Sequence, residues 1–364
     1  MKKVLIAFGT RPEAIKMAPV VRMMAKSSKL AAYVCVTAQH RQMLDQVLEI
    51  FKIKPDFDLD LMKPNQTLFE ISSSVLLAMN DVIKKVKPDI ILVQGDTTTV
   101  FFTALSAFYH KIPIGHVEAG LRSYKKYSPF PEEINRLLTS HIADLHFAPT
   151  KLASENLIKE GIQSENILIT GNTVIDSLIY IKNKLKFRKN DSANKKHILV
   201  TGHRRENFGE NFEQMCYALK DIATQYKEIK ITYPVHLNPN VQEPVYRILS
   251  KVENINLIKP VGYIEFVKLM HSSYIILTDS GGIQEEAPTF GIPVLVMRDT
   301  TERPEGIHAG VAKLVGTNRK VIVEEVKALV DDKDYYNSIS QISNPYGDGK
   351  AAERIINKLE EYLC

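Results

Sequence analysis

Cysteine is scarce in this chain, and its spacing excludes two common kinds of stabilisation. The 364 residues contain only three cysteines, Cys35, Cys216 and Cys364, which are far apart and form no CxxC pair. Neither a disulfide framework nor a structural zinc site is therefore predicted. Free thiols are typical of a reducing compartment, so we expect a cytoplasmic protein.

Long apolar runs and cofactor fingerprints are also missing. No run approaches the roughly 18 apolar residues that a membrane span requires, and Arg11 follows the apolar segment 4–8 too soon for a signal peptide. The absence of GxxxxGK[ST], and of GxGxxG after the first strand, disfavours P-loop NTPases and nicotinamide or flavin enzymes. The histidines lack metal-ligand spacing such as HExxH. We predict no membrane segment, no cofactor and no catalytic metal.

The net charge of +5 raises the question of nucleic-acid binding, but the surplus is confined to one segment. Residues 182–197 hold seven Lys or Arg against one Asp, a local excess of 7 − 1 = +6. The segment is polar, lacks apolar periodicity and lies in mid-chain. We interpret it as an interdomain linker rather than a nucleic-acid surface, and we predict no nucleic-acid partner.

Short apolar runs alternate with longer amphipathic segments on both sides of this linker. The runs lie at 4–8, 33–37, 90–93, 112–117, 145–148 and 167–170, and again at 198–201, 229–233, 255–258, 274–278, 294–297 and 313–315. Such alternation indicates parallel sheets covered by helices on both faces, and the chain length favours two domains. We predict two doubly wound α/β domains at 1–181 and 198–348, with a last helix at 349–364 that could pack on either.

Polar groups follow these strands, at the edge of the sheet where doubly wound proteins bind ligands. Asp96 and Glu118 end neighbouring strands and would supply two carboxylates for acid–base chemistry, although capping of the next turn is an alternative for Asp96. Helix-end electrostatics is the preferred interpretation of Glu133. His203 follows the first strand of the second domain, where a catalytic and a structural role are both open.

Two further segments predict contacts with an anion. In LTDSGGIQEEAP, Gly281 and Gly282 follow a strand and open a helix, so backbone amides could meet a phosphate, with an ordinary turn as the alternative. Arg303 follows the next strand and would add a guanidinium. Arg11 and Lys16 follow the first strand of the chain, although Lys16 could simply be a solvated helix residue.

Ten ordered motifs together resemble the non-hydrolysing UDP-N-acetylglucosamine 2-epimerases. They are GTRPEAIKMAP, VTAQHRQMLDQVL, VQGDTTTVF, GHVEAGLRS, SPFPEEINR, VTGHRREN, YPVHLNPNV, TDSGGIQEEAP, VLVMRDTTERPE and NPYGDG. The resemblance implies two Rossmann-like domains in a GT-B arrangement with an interdomain cleft, in a homodimer. It also implies reversible epimerisation at C2 between UDP-N-acetylglucosamine and UDP-N-acetylmannosamine, by elimination of UDP to 2-acetamidoglucal and re-addition, for bacterial surface polysaccharide precursors.

The resemblance also assigns residues. The family's catalytic motifs contain Asp96, Glu118, Glu132 and His203, with the three carboxylates sharing the proton transfers at C2. The substrate-binding positions are Arg11, Lys16, Phe266, Ser280, Gly281, Gly282, Glu286 and Arg303. Among these, Phe266 is expected beside the uracil and Glu286 on the ribose.

Activation by substrate at a second site occurs in some members of this family and is a further hypothesis. The matching positions are Gln39, His40, Gln42, Gln46 and His236. Two positions depart from regulated members, because Asn65 replaces an arginine and Val261 stands where glutamine can occur.

Three other functions share parts of this pattern. A hydrolysing 2-epimerase would release UDP and free N-acetylmannosamine from the same intermediate. A GT-B glycosyltransferase would need the same nucleotide site but no base at C2. A non-catalytic sugar-nucleotide sensor would not need the carboxylates and His203.

Overall fold

The computed structural model describes residues 1–37, 41–63, 66–187 and 196–364 and divides them into two compact units. Unit 1 contains residues 1–179 and 346–364, and unit 2 contains residues 180–345. Half of the predicted linker, residues 188–195, lies outside the described residues, as do Gln39, His40 and Asn65.

Unit 1 is built on a seven-stranded parallel sheet with the order β3-β2-β1-β4-β5-β6-β7. Its strands are β1 (Lys2–Phe8), β2 (Leu30–Val36), β3 (Phe57–Asp58), β4 (Ile90–Gln94), β5 (Ile114–Val117), β6 (Leu145–Ala148) and β7 (Ile167–Ile169). Its helices are α1 (Arg11–Met24), α2 (Arg41–Phe51), α3 (Leu68–Val86), α4 (Thr98–Tyr109), α5 (Glu132–Ile142), α6 (Lys151–Lys159) and the first turns of α7 (Thr173–Leu185).

The central strands of unit 1 are apolar because helices cover both faces of the sheet. All five residues of β4 are buried, as are the last five of β1. The strand order reverses between β1 and β4, and in doubly wound folds ligands bind beyond the carboxyl ends of the strands at such a point.

Unit 2 has a six-stranded parallel sheet with the order β10-β9-β8-β11-β12-β13, and its order reverses between β8 and β11. Its strands are β8 (His197–Thr201), β9 (Lys230–Pro234), β10 (Ile255–Ile258), β11 (Ile275–Thr278), β12 (Val294–Val296) and β13 (Ala312–Leu314). Its helices are α8 (Glu210–Gln225), α9 (Pro239–Leu249), α10 (Tyr263–His271), α11 (Gly281–Glu286), α12 (Pro304–Ala309), α13 (Arg319–Asp331) and α14 (Lys333–Ser340).

Helix α15 (Ala351–Leu363) belongs to unit 1, where it packs on α1. Asp176 of α7 accepts hydrogen bonds from the first two backbone amides of α15, at 3.2 Å from Ala351 N and 2.9 Å from Ala352 N. A carboxylate suits this position because the first amides of a helix lack partners within the helix. Burial nevertheless raises the pKa of Asp176 to about 6.

The two doubly wound α/β domains predicted from the sequence are confirmed, and every predicted apolar run overlaps a strand. The sequence prediction misses β3, which has only two residues and no apolar run. It also begins the linker too early, because α7 continues to Leu185. Lys182 and Lys184 lie in the last turn of α7, where positive charge suits the helix end, so their charge is no sign of a linker.

No helix in the described part of the chain is long and apolar enough to cross a membrane.

Candidate active-site clusters in the two units

Glu118 is the central carboxylate of the candidate site in unit 1. It follows β5 directly, is 8% exposed, and has a φ of +63°, in the left-handed region that glutamate seldom adopts. Such a backbone costs roughly 1–3 kcal/mol and persists only where its surroundings enforce it. Gly120, two residues later, has a φ of +90°, and a Cβ there would lie 2.1 Å from Ala153 O. The chain is thus closely packed where it turns out of β5.

Three side chains from other elements hold Glu118, and we name these four residues the carboxylate cluster. Lys16 of α1 donates to Oε1, Gln94 at the end of β4 donates to Oε2, and Asn172 donates to Oε1 at 2.9 Å. The Lys16 side chain is only 13% exposed. The alternative of a solvated Lys16 is therefore wrong, because its ammonium is paired with the predicted catalytic carboxylate.

Asp96 lies two residues after β4 and is held from α5. Arg136 donates to Asp96 Oδ2, and the side-chain amide of Asn135 donates to Asp96 O at 3.0 Å. The capping alternative is wrong, because Thr97 is the N-cap of α4 and accepts from Val100 N at 3.3 Å. The Asp96 carboxylate is left to its ion pair at the strand end.

Glu133 has a different role from Glu132. It is buried, accepts from the backbone amides of Ser123 and Tyr124, and lies 3.3 Å from Arg136 Nη1. It therefore orders the loop after β5 as well as the helix end, which was the role expected from the sequence. Glu132, its neighbour in the first turn of α5, is partly exposed.

Glu13 connects the first two turns of the sheet edge. Its Oε2 accepts from the backbone amides of Gly9 at 2.8 Å and Thr10 at 2.6 Å, and its Oε1 accepts from the Thr97 hydroxyl at 2.6 Å. Burial raises the pKa of Glu13, while these hydrogen bonds act in the opposite direction. The turn that carries Arg11 is thus tied to the turn that carries Asp96.

Two buried histidines lie side by side behind these turns, His116 on β5 and His146 on β6. His116 Nε2 lies 2.7 Å from Gly95 O, so it must carry the hydrogen. Burial lowers the pKa of His116 to about 3 and that of His146 to about 4. Both rings are therefore neutral at pH 7, and His116 holds the backbone of Gly95 in place.

In unit 2, the buried Asp279 organises the turn after β8. Its Oδ2 accepts from the backbone amides of His203 and Arg204, each at 2.8 Å, and its Oδ1 lies 3.5 Å from His203 Nδ1. The His203 ring stacks on that of His236, with centroids 5.3 Å apart. Burial lowers the pKa of His203, with His236 and Arg204 acting in the same direction and Asp279 opposing them.

Ser280 is the N-cap of α11, and Gly281 and Gly282 are its first two residues; we name this start of the helix after β11 the Gly281–Gly282 turn. The guanidinium of Arg303 lies against this turn, because a Cβ on Gly281 would be 2.5 Å from Arg303 Nη1. Only glycine leaves room for this close approach. The structure therefore brings Arg303 next to the glycines, as the anion prediction requires.

Arg303 is part of a paired network that we name the arginine cluster: Arg204, Arg298, Arg303, Glu206, Glu285 and Glu302. Arg303 donates to Glu285 at 2.8 Å and to Glu302 at 2.6 Å, and Arg298 donates to Glu302 at 2.6 Å. Burial alone would raise the pKa of Glu302, but Arg303 and Arg298 outweigh it and lower this pKa to about 2. Glu302 is therefore ionised at every physiological pH.

Phe266 and Glu286, predicted to hold the uracil and the ribose, both lie near the start of α10. Phe266 is partly buried near the start of α10, and Tyr263, the first residue of that helix, donates from its hydroxyl to Glu286 Oε2 at 3.4 Å. A Cβ on Gly282 would lie 3.7 Å from Glu286 Oε1. Aromatic ring, carboxylate and glycine turn are thus neighbours in unit 2.

Fewer contacts are described for the remaining predicted residues. Arg11 opens α1 and is partly exposed, and Gln46 is exposed on α2, which also contains Gln42. Gln39 and His40 lie outside the described residues, so of the possible activator positions only His236 is shown against a predicted catalytic residue.

Sequence reasoning missed polar residues that hold the predicted ones or their turns, among them Glu13, Gln94, Arg136, Asn172 and Asp279. Gln94 and Asp279 stand in strand-end groups, which was a usable signal. Glu13 shows a capping-box pattern with Thr10, but that pattern does not reveal its contact with Thr97. Nothing in the sequence signals the contact of Asn172.

Among residues 1–37, 41–63, 66–187 and 196–364, no group of three His, Cys, Asp or Glu side chains is placed to hold a metal ion.

Comparison with known proteins gives consistent matches along the chain. A family model described as UDP-N-acetylglucosamine 2-epimerase matches residues 22–360. The UDP-N-acetylglucosamine 2-epimerase of Escherichia coli K12 is 56% identical over 369 residues, which cover 98% of each chain. The crystal structure of UDP-GlcNAc 2-epimerase from Neisseria meningitidis bound to UDP-GlcNAc is 50% identical, with a TM-score of 0.92 over 99% of this chain and 100% of that one. The Methanocaldococcus jannaschii UDP-GlcNAc 2-epimerase in complex with UDP-GlcNAc and UDP is 34% identical, with a TM-score of 0.83 over 99% and 100%.

Proposed function

The chain belongs to the UDP-N-acetylglucosamine 2-epimerase family, and we propose that it interconverts UDP-N-acetylglucosamine and UDP-N-acetylmannosamine without a cofactor. The observation that carries the proposal is the placement of Asp96 and Glu118 after two strands that pair in the sheet, β4 and β5. Two carboxylates held by different partners at one edge of the sheet can act as a general base and a general acid, one removing a proton and the other returning one.

The reaction we propose is an elimination followed by re-addition. The hydrogen on C2 is not next to a carbonyl, so its removal is coupled to departure of UDP from C1. A carboxylate takes the C2 proton, the C–H electron pair becomes the C1–C2 double bond, and UDP leaves with the electron pair of the C1–O bond. Protonation of the 2-acetamidoglucal on its other face, with re-addition of UDP, gives the epimer.

Asp96, Glu118 and Glu132 share these proton transfers in this proposal. Lys16 and Asn172 contact Glu118, and Arg136 contacts Asp96, so both carboxylates are held in fixed orientations. Preorganised carboxylates also oppose the positive charge that develops at C1 as UDP departs. His203 assists at the diphosphate or the sugar.

Unit 2 binds the nucleotide in this proposal. The Gly281–Gly282 turn offers backbone amides to the diphosphate, and Arg303 lies against it. Phe266 contacts the uracil and Glu286 accepts from the ribose. Arg11, the first residue of α1, is a further substrate-binding residue in this proposal.

Three further features belong to the same proposal: a homodimer, a cytoplasmic location and a role in surface polysaccharide precursor synthesis. Large apolar side chains are exposed along the packed pair α3 and α4, at Phe69, Leu77, Phe108 and Tyr109. Such a surface is typical of a protein contact. Cys35 and Cys216 are buried free thiols, as suits a reducing compartment.

Nuclear magnetic resonance of UDP-N-acetylglucosamine with the protein in deuterated water tests the activity. We expect UDP-N-acetylmannosamine to form with deuterium at C2 and with no free sugar. Free N-acetylmannosamine in step with UDP would show a hydrolysing enzyme instead. Product that retains its C2 hydrogen, or no reaction at all, would overturn the proposal.

Substrate activation is tested by initial rates in the mannosamine direction. If the activation hypothesis is right, these rates need added UDP-N-acetylglucosamine. Rates that are independent of it would refute activation.

A further inference from the structure

We propose that Gln94 and Asn172 are positioning residues whose side-chain amides keep Glu118 in its carboxylate form, which makes Glu118 the proton acceptor at C2. This inference rests on the proposed epimerase function and deepens it. Neither amide is part of the predicted site, and both belong to the carboxylate cluster.

The direction of the Asn172 amide is fixed by its other contact. Its Oδ1 accepts from Val174 N at 3.0 Å, at the start of α7. The nitrogen therefore has to face Glu118, to which it donates at 2.9 Å. The backbone amide of Asn172 is held as well, at 2.7 Å from Tyr346 O. Asn172 is 2% exposed, so the donor is fixed in place by its surroundings.

Gln94 carries a second and independent sign of this role. Its Nε2 donates to Glu118 Oε2, but its own Oε1 is buried and has no hydrogen-bond partner among the described residues. An unpaired buried acceptor is costly, and an apolar side chain of similar shape would avoid that cost. The hydrogen bond from Gln94 to Glu118 is the interaction that offsets this cost.

Together these donors favour the ionised form of the Glu118 carboxyl group over the protonated form. Both carboxylate oxygens accept N–H bonds, Oε1 from Asn172 and Lys16 and Oε2 from Gln94. A protonated carboxyl group would direct an O–H toward a donor that cannot accept it. Hydrogen bonds of this kind favour the ionised form. The left-handed backbone of Glu118 aims the side chain into this ring of donors.

Asn172→Asp is the direct test, because aspartate keeps the oxygen that accepts from Val174 and replaces only the donor. At pH 7 we expect kcat to fall about 10- to 100-fold while KM changes less than about threefold. In a plot of kcat against pH, the midpoint of the fall in activity on the acid side should move to higher pH by about one unit or more. The reason is that a second carboxylate next to Glu118 favours the protonated form of Glu118. A residue with only a structural role would lower kcat by one factor at every pH.

Gln94→Met provides a second test that does not depend on the stability of the first variant. It removes the donor and the unpaired oxygen together, so we expect it to fold and to show the same upward shift of the acid limb without an added charge. Asn318→Asp is the matched control, because Asn318 caps α13 in unit 2 through its Oδ1 and has no part in either cluster. Its profile should match that of the unchanged protein.

A readout that is independent of turnover separates this inference from the proposed function. The carbon-13 carboxyl signal of Glu118, assigned by its loss in Glu118→Gln, should titrate at higher pH in Asn172→Asp and Gln94→Met than in the unchanged protein. Unchanged titration and an unshifted acid limb would overturn the inference even if the protein is an active epimerase. An inactive protein whose Glu118 titration shifts as expected would overturn only the proposed function.

Discussion

The two units carry the same doubly wound fold but equip the edge of the sheet in opposite ways. In unit 1 the central carboxylate, Glu118, is held by two neutral amides and one lysine. In unit 2 the arginine cluster matches Arg204, Arg298 and Arg303 with carboxylates, so cations and anions are present in similar number.

This difference shows how side chains at the carboxyl ends of similar sheets can serve different functions. Neutral donors around a carboxylate fix its direction without saturating it with positive charge, which leaves it able to exchange a proton with a substrate. Paired arginines have no proton to exchange at neutral pH, but they can turn toward an incoming phosphate. The comparison is consistent with the proposal that the carboxylates of unit 1 transfer the protons and that the arginine cluster of unit 2 contributes to anion binding, and the following variants test that division.

The largest effect should come from Glu118→Gln. The change keeps the shape of the side chain but removes the proton acceptor, so we expect kcat to fall roughly 10²- to 10⁴-fold. Binding of UDP, measured by calorimetry, should be unchanged within about threefold. Glu49→Gln, an exposed position on α2, should leave both quantities as they were. Near-normal turnover in Glu118→Gln would remove the distinction between the two clusters.

Arg303→Met should have the complementary effect on binding. It removes a charged donor beside the Gly281–Gly282 turn, so UDP affinity is expected to fall about 10- to 100-fold, the worth of a hydrogen bond to a charged group. The kcat at saturating substrate should fall much less. The control is Arg319→Met, which breaks an exposed ion pair with Asp221 elsewhere in unit 2. A large loss of kcat with unchanged UDP affinity in Arg303→Met would contradict the assignment.

A pair of threonine variants isolates the connection through Glu13. Thr97→Val and Thr150→Val each remove the N-cap hydroxyl of a helix in unit 1, α4 and α6, which should cost about 1 kcal/mol in either case. Only Thr97 also donates to Glu13. We expect kcat to fall about 10-fold in Thr97→Val alone, and Thr97→Ser to restore it. Equal kcat values in the two valine variants would show that the connection is irrelevant to turnover.

The smallest effect concerns the pH dependence of unit 1. Burial lowers the pKa of His146 to about 4, so between pH 6.5 and 4 the unfolded chain binds a proton that the folded chain does not. The stability associated with neutral His146 is present above pH 6.5 and is lost as the pH falls through that window.

Amide hydrogen exchange of β5 and β6 at pH 5 and pH 6.5, corrected for intrinsic exchange rates, measures how the unfolding free energy of unit 1 changes with pH. In His146→Gln the fall in unfolding free energy should be shallower by up to about 1.4 kcal/mol per pH unit. Exchange of β8 and β9 in unit 2 serves as the internal reference, and its pH dependence should be the same in His146→Gln and in the unchanged protein. Parallel slopes in unit 1 would mean that His146 does not contribute.

The fold was largely predictable because parallel strands buried on both faces are apolar along their whole length. Periodicity reports which residues are covered, and this located β4 and β11 without knowledge of their neighbours. It cannot detect a strand such as Phe57–Asp58, whose two residues depend on pairing with β2. Nor could it locate the end of α7, where the lysines of the last turn resemble a linker.

The strand-end positions of the candidate residues were predictable from the sequence, but the partners of their side chains were not. Asp96 and Glu118 stand at strand ends, and the topology brings strand ends to one edge of the sheet. The partners of Glu118 are remote, however, with Lys16 separated by 102 residues and Asn172 by 54. Pairing at such separations is decided by the packed fold, so the sequence offered no local signal for it. The same holds for Arg303 and the space left by Gly281.

The membership of α15 in unit 1 has a consequence for biosynthesis. Residues 346–364 are translated after the whole of unit 2, yet they cover α1 and receive the Asp176 carboxylate at their helix start. Domains generally fold as units during translation, so unit 2 can complete its core on the ribosome before unit 1 can. Nascent chains stalled with residue 345 just outside the exit tunnel should therefore resist protease in unit 2 while α1 is still cleaved, and protection of α1 at that length would contradict this order. Unit 1, which contains the N-terminal residues, would therefore complete its fold after unit 2.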